Sequence, residues 1–129
     1  MRFMIIVPAP AASRSGIAPA AGLMAAMAGY HQELARAGVL LAADGLQPSS
    51  RGWRIRYHGG QRSVIDGPFP ETLIAGYTLI QVRSREEALE WTRRCPPPFG
   101  AREDTEIEVR EVLELDDLGP QSGTGSANR

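Results

Sequence analysis

Residues 73–82, with the sequence LIAGYTLIQV, constrain the fold more than any other part of the chain. In an extended strand the side chains alternate between two faces, and here both faces carry mainly apolar groups. A strand of this kind is stable in water only when it is covered on both sides. The segment therefore predicts the central strand of a sheet, around which the other elements are arranged.

The first forty-eight residues predict a strand, a helix and a second strand. Residues 3–7, FMIIV, form a short apolar run that is typical of a strand buried on both faces. Pro19 suits the first turn of a helix and Gly38 suits its end. Between them, apolar side chains recur at the spacing of one helix face: Leu23, Met27, Tyr30 and Leu34. Residues 39–48 predict a strand followed by a turn.

Residues 53–66, WRIRYHGGQRSVID, predict a β-hairpin. Apolar side chains alternate with two arginines and a histidine along the first arm, so one face is apolar and the other is polar. These apolar side chains are Trp53, Ile55 and Tyr57. The two adjacent glycines supply the positive φ angles that a tight hairpin turn needs.

The last elements are a helix and a strand. Ser84 followed by Glu87 forms a capping box, which opens a helix that Pro96 ends. Residues 106–110 alternate as a half-exposed strand. Two helices and a mostly antiparallel sheet predict an α+β fold, and the order of elements fits a ferredoxin-like split βαβ sandwich with an added hairpin. We expect one domain over residues 1–113 and a disordered polar tail over residues 114–129.

A stiff bridge, DGPFPE, joins the hairpin to the central strand. The Asp66 carboxylate cannot accept the N–H two residues on, because Pro68 has none. It is left for the N–H of Phe69, for an arginine or for a ligand. The Phe69 ring is expected either to anchor the bridge on its own chain or to fill the pocket of a partner.

Composition excludes several kinds of function. The net charge is −1 and the charges are dispersed, so no nucleic-acid partner is expected. All fourteen basic residues are arginine, which excludes a Schiff-base lysine and a P-loop lysine. The single Cys95 supports neither an intrachain disulfide nor a cysteine-rich zinc site. We expect a cytoplasmic protein with no membrane span, metal or cofactor.

The segment DGPFPET…AGYTLIQVRSREEALEWTRRCP resembles the YCII-related family, in the branch named for its DGPF motif. FMIIV, YHQELARAGVLLAADGLQPSS and EIEVREV extend the resemblance over residues 1–113. It implies a dimeric α/β barrel, in which two ferredoxin-like sheets pack across a twofold axis, and a small-molecule pocket near that interface. Better-studied relatives look like enzymes with a His–Asp pair in a cleft. Some DGPF members are associated with extracytoplasmic-function sigma factors.

His31 is the main catalytic candidate, because a histidine paired with Asp66 or Asp44 is a plausible general base. The alternative is a helix-flank histidine that bonds a backbone carbonyl. Asp66 and Glu71 flank the bridge and are expected either to contact a ligand amine or to form structural ion pairs. The predicted ligand-binding set is Asp44, Asp66, Phe69, Glu71 and Tyr77.

Three functions remain open at this point. The first is a homodimeric module that binds a small molecule, or acts in regulation, through a pocket beside the DGPF motif. The second is an enzyme that uses the His–Asp pair for acid–base chemistry on a small molecule. The third is a protein-interaction module linked to sigma-factor signalling.

Overall fold

A computed structural model describes residues 1–8, 21–69, 74–98 and 105–118. The strands and helices follow in the order β1 (Arg2–Pro8), α1 (Ala21–Arg36), β2 (Leu40–Gly45), β3 (Trp53–His58), β4 (Gln61–Asp66), β5 (Ile74–Gln81), α2 (Arg85–Arg93) and β6 (Glu108–Glu111). Short 3₁₀ turns occupy Ser49–Arg51 and Leu115–Leu118. This arrangement confirms the predicted α+β class, and it is consistent with a ferredoxin-like fold.

A four-stranded antiparallel sheet has the strand order β2-β5-β1-β6. The position of β5 between β2 and β1 confirms that this strand is internal. Phe3 pairs with Ile80 and Ile5 with Thr78, so these four side chains share one face. They are all buried, together with Tyr30 and Leu34 of α1 and Ala88 of α2. Both helices therefore cover the same face of the sheet.

The opposite face, which we call the open face, differs from the expectation that β1 and β5 are buried on both sides. Its apolar side chains come mainly from these two central strands and are half-buried rather than buried: Met4, Ile6, Tyr77 and Leu79. Within the described residues, the helices do not reach this face. Two apolar faces on a strand indicate two coverings, and the described part of the subunit provides only one of them.

The predicted end of α1 and the predicted start of α2 are confirmed, whereas Pro19, predicted in the first turn of the first helix, lies outside the described residues. Gly38 follows α1 with a φ of 77°, which a glycine adopts without strain. At the start of α2, the Ser84 Oγ accepts the N–H of Glu87 at 3.1 Å. The Glu87 carboxylate in turn accepts the N–H of Arg83 at 2.8 Å. Backbone donors at the start of α2 thus have side-chain partners.

The hairpin forms as predicted but stands apart from the main sheet. β3 and β4 make a separate two-stranded sheet, with Gly59 and Gly60 at φ angles of 55° and 79°. Its apolar face, formed by Trp53, Ile55 and Tyr57, is exposed to solvent. Alternation along a strand indicates that one face is apolar, but it does not indicate what covers that face.

The beginning of the predicted tail is attached to the sheet. The Arg2 guanidinium donates two hydrogen bonds to the Glu114 carboxylate, at 2.8 and 3.1 Å. The Leu115–Leu118 turn follows directly. The rest of the predicted tail, residues 119–129, lies outside the described residues. No helix in the described ranges is long and apolar enough to span a membrane.

Candidate functional site

His31 lies on α1, in the layer between the helices and the sheet. Its Nε2 is 2.9 Å from the Oγ1 of Thr78, which is a buried polar residue on β5. The imidazole is half-buried, and this burial lowers the pKa of His31 because the charged form loses solvation. The ring is therefore neutral at physiological pH. A neutral imidazole can accept a proton or a hydrogen bond from a ligand.

A second hydrogen-bonded pair lies on the open face. The Tyr77 hydroxyl donates to the Asp44 carboxylate at 2.7 Å, and this bond raises the pKa of Tyr77. Tyr77 and Thr78 are consecutive residues of a strand, so their side chains point to opposite faces. His31 and Asp44 are accordingly on opposite sides of the sheet. The structure brings Asp44 together with Tyr77, and His31 together with Thr78.

The DGPF segment, residues 66–69, is docked against the 3₁₀ turn Ser49–Arg51. The Gly67 N–H donates to the Gly52 carbonyl at 3.0 Å, and the Phe69 N–H donates to the Ser49 Oγ at 3.0 Å. The peptide bond between Gly67 and Pro68 is cis. Gly67 is so close to the Ser49 carbonyl that any β-carbon would collide with it. The motif therefore joins the hairpin to the turn that follows β2.

The Phe69 ring stacks on its own chain. The Arg54 guanidinium carbon lies 3.8 Å from the centre of the Phe69 ring, which is a close cation–π contact. Phe69 is half-buried in this position. Of the two expectations for Phe69, the structure supports an anchor within the subunit. The ring fixes the DGPF segment to β3.

Asp66 is exposed at the end of β4, opposite Trp53. The Phe69 N–H, one of its three expected partners, is occupied by Ser49. Among the described residues, the Asp66 carboxylate has no hydrogen bond or ion pair with an arginine. A ligand contact from Asp66 therefore stays a prediction. Glu71 lies outside the described residues.

Sequence reasoning missed two residues that position these groups, Thr78 and Ser49. Thr78 is a buried polar residue in the middle of an apolar strand, and that interruption was an available signal for a polar contact. Ser49 gives no such signal, since serine is common in turns. Only the fold brings Ser49 to the DGPF segment.

A groove of about 290 Å³ lies at the C-terminal end of α2. Its lining is formed by Thr92, Cys95, Pro96, Pro97, Pro98, Thr105, Glu106 and Ile107. Burial raises the pKa of Cys95 to about 11, so the thiol is protonated and a weak nucleophile at neutral pH. No group of three metal-ligating side chains occurs in the described parts of the chain. The groove is remote in sequence from the DGPF segment.

The lowered pKa of His31 predicts a dependence of stability on pH. The unfolded chain takes up a proton near the ordinary histidine pKa of about 6.5, while the folded chain does so only at lower pH. The free energy of unfolding should therefore fall as the pH falls from about 6.5 through the folded-state pKa. His31→Gln should remove this part of the slope. Urea unfolding of both proteins at several pH values measures it.

His58 provides the matched control for this experiment, because it is an exposed histidine on the hairpin. His58→Gln should leave the His31-dependent fall in stability in place. If His31→Gln and the wild-type protein lose stability in parallel on acidification, burial of His31 does not influence its titration.

Comparison with known proteins gives one family. The model of the YCII-related domain matches residues 1–116, which is nearly the whole chain. No curated protein matches the sequence.

Proposed function

Because the chain belongs to the YCII-related family, we propose that it is a homodimeric domain that binds a small polar molecule between α1 and the DGPF segment. The observation that carries this proposal is the half-buried, neutral imidazole of His31, held by the buried hydroxyl of Thr78. No described residue bonds to the second ring nitrogen. Perturbed titratable groups of this kind are concentrated at functional sites.

The topology supports a site at one end of the sheet. β1 ends and β5 begins at this end, where Pro8 pairs with Ile74. The DGPF segment is also here, because it docks on the turn that follows β2 and leads towards β5. Among the described residues α1 is the first helix after β1, so we take its start to lie towards the same end. His31 lies in the second half of α1 and meets Thr78 in the middle of β5, so a ligand that contacts both His31 and the DGPF segment would extend from this end along α1.

The chemistry of the site favours a molecule with a hydrogen-bond donor. Neutral imidazole accepts a hydrogen bond, and the exposed Asp66 carboxylate accepts one from an amine or a hydroxyl group. A ligand amine is therefore the strongest expectation, because it interacts favourably with a carboxylate. Phe69 is held by Arg54 and keeps the segment that carries Asp66 in one position.

The open face supports the homodimer. Its apolar surface is formed by four side chains of the two central strands: Met4, Ile6, Tyr77 and Leu79. Central strands with such side chains are expected to be covered on both faces. A second copy that packs the same face against it would supply the cover that the described residues do not provide. The Asp44–Tyr77 pair would then lie between the two subunits.

An enzyme remains the second candidate, because a histidine that is neutral at physiological pH is available as a general base. The residue that contacts the ring is a hydroxyl rather than a carboxylate. A hydroxyl orients the imidazole but does not stabilise the imidazolium as a carboxylate does. The geometry therefore favours binding over proton transfer.

Ligand binding can be tested by thermal unfolding with a panel of small amines, hydroxy compounds and carboxylic acids. We expect one or more amines or hydroxy compounds to raise the melting temperature of the wild-type protein and not that of His31→Phe. The protein His58→Ala is the matched control, because its exposed histidine lies on the hairpin, and it should respond like the wild type.

Equal stabilisation of the wild-type protein and His31→Phe would contradict a role for His31. A panel without any stabilising compound would contradict the proposed ligand class. A ligand that binds only the folded protein stabilises it by about 2.7 kcal/mol when its concentration is one hundred times its Kd. A ligand with a millimolar Kd is therefore detectable at high concentration.

A further inference from the structure

The hairpin presents an apolar surface that the described residues leave largely open to solvent. Trp53, Tyr57 and Val64 are 65%, 68% and 66% exposed, and Ile55 is 41% exposed. A two-stranded hairpin is only marginally stable in water when nothing packs on it. Tryptophan and tyrosine are also enriched among the side chains that dominate binding energy at protein interfaces. This surface therefore has the character of an interaction site.

Six side chains share this surface, because residues that pair directly across two antiparallel strands point to the same side. The pairs are Trp53 with Asp66, Ile55 with Val64, and Tyr57 with Arg62, and we call these six side chains the hairpin face. Arg54 and Arg56 alternate onto the other side of the hairpin, where Arg54 stacks on Phe69. The hairpin face thus carries one carboxylate and one guanidinium.

These two charges lie at opposite ends of the hairpin face. Asp66 is at the base, next to the DGPF glycine, and Arg62 is near the turn at the tip. Four residues of a strand separate them, which is about 13 Å. Both side chains are exposed, and the Arg62 guanidinium lies 5.2 Å from the centre of the Tyr57 ring. Within the described residues, no arginine pairs with the Asp66 carboxylate.

A surface with this order of charges is complementary to a copy of itself. Consider two hairpin faces that pack around a twofold axis crossing the strands at the Ile55–Val64 pair. The base of each hairpin then lies opposite the tip of the other. Each Asp66 faces Arg62 of the second copy, each Trp53 ring faces Tyr57 of the second copy, and symmetry forms every such contact twice.

The same order of charges disfavours a partner of a single charge. An acidic surface would repel Asp66, and a basic surface would repel Arg62, because like charges brought together at an interface are costly. The charges on the hairpin face therefore select a second copy of this chain.

We propose that the hairpin faces of two copies pack against each other around this twofold axis. The contact is separate from the proposed packing of the open faces. Six side chains a copy are few beside the 20–30 residues of a standard interface, so we expect a dissociation constant on the order of 100 μM. The contact should therefore dissociate at micromolar concentration. A carboxylate accepts several hydrogen bonds, so the ion pair leaves Asp66 able to accept one from a ligand.

Charge reversals made on separate chains test the contact. Arg62→Glu places two carboxylates on the hairpin face, and Asp66→Arg places two guanidinium groups there. Arg56→Glu is the matched control, because it makes the same change in charge as Arg62→Glu on the other side of the hairpin. All proteins also carry Leu79→Glu, which acts against the open-face contact. Sedimentation equilibrium of the full-length chains, from micromolar to millimolar concentration, measures self-association.

Each reversal should weaken self-association of the Leu79→Glu protein about tenfold or more, since one substitution creates two like-charge contacts. An equal mixture of the two reversed chains should associate with a dissociation constant within about threefold of that of Leu79→Glu alone. In this mixture opposite charges again face each other at both ends. Arg56→Glu should associate like the Leu79→Glu protein.

Three results would overturn the proposal. The first is a Leu79→Glu protein that stays monomeric at millimolar concentration, and the second is association that neither reversal changes. The third is loss of association without recovery in the mixture, because the hairpin face would then meet a different surface. Each of them leaves intact the ligand test, which compares thermal unfolding of the wild-type protein and His31→Phe.

Discussion

Gly67→Ala is expected to lower the free energy of unfolding by about 3 kcal/mol, at the upper end of what overpacking costs. The added β-carbon would collide with the carbonyl group of Ser49, which is backbone and has no rotamer by which to move away. Relief requires that the DGPF segment separate from the turn. The hydrogen bonds from Gly67 to Gly52 and from Phe69 to Ser49 would then be weakened as well.

Gly52→Ala is the matched control, because Gly52 lies in the same turn and accepts the Gly67 hydrogen bond. Its φ of −122° is open to any residue, and its added β-carbon would be 3.7 Å from the Ser49 oxygen, an ordinary contact. We expect a change within about 0.5 kcal/mol. Urea unfolding measures both variants. Similar stabilities for the two would show that the DGPF segment is not held against the turn.

The same substitution bears on the proposed ligand site. A DGPF segment released from the turn no longer holds Asp66 in a defined position relative to α1. Any compound found to stabilise the wild-type protein should therefore stabilise Gly67→Ala less than Gly52→Ala, at a temperature where both are folded. The comparison separates the structural role of the glycine from a general loss of stability.

Leu79→Glu is expected to weaken the dimer about a hundredfold, so that the protein runs as a monomer in chromatography with light scattering. Leu79 lies on the open face opposite Met4 and Ala42, in the middle of the surface that we propose packs on a second copy. A carboxylate buried there would lack a partner, and burying an unpaired charge is costly. A loss of about 2–3 kcal/mol at a central interface position corresponds to this change in affinity.

The control for this prediction is Leu89→Glu, which makes the same substitution at an exposed position on α2. It should leave the dimer intact. Circular dichroism should show that both variants are folded. Leu79 is only half-buried in the single subunit, so a glutamate there is not enclosed in the core of one subunit. A wild-type monomer, or a Leu79→Glu dimer of wild-type affinity, would rule out packing through the open face.

Features that depend on near neighbours were predictable from the sequence. The helix that ends at Gly38, the capping box at Ser84 and the turn at Gly59 and Gly60 each follow from residues within one turn of each other. The internal position of β5 was also predictable, because its apolar composition on both faces leaves few alternatives. Periodicity and turn chemistry are local quantities, and these elements are local structures.

The partners of the site residues were not predictable in the same way. His31 was expected beside Asp66 or Asp44, and it contacts Thr78 instead, because the register of β5 under α1 decides which side chain meets the ring. If the register of β5 were shifted by one residue, His31 would face Tyr77 in place of Thr78, and the Tyr77 hydroxyl is the group that bonds Asp44. Register is set by the packing of the whole sheet, and no spacing within α1 reveals it.

The chain by itself therefore determined the kind and order of the described elements and the central strand. Only the tertiary structure decided that Gly67 lies against Ser49, that Phe69 stacks on Arg54, and that the helices cover one face of the sheet. The physical reason is distance along the chain: backbone preferences act over a few residues, whereas these contacts join residues that only the packed fold brings together.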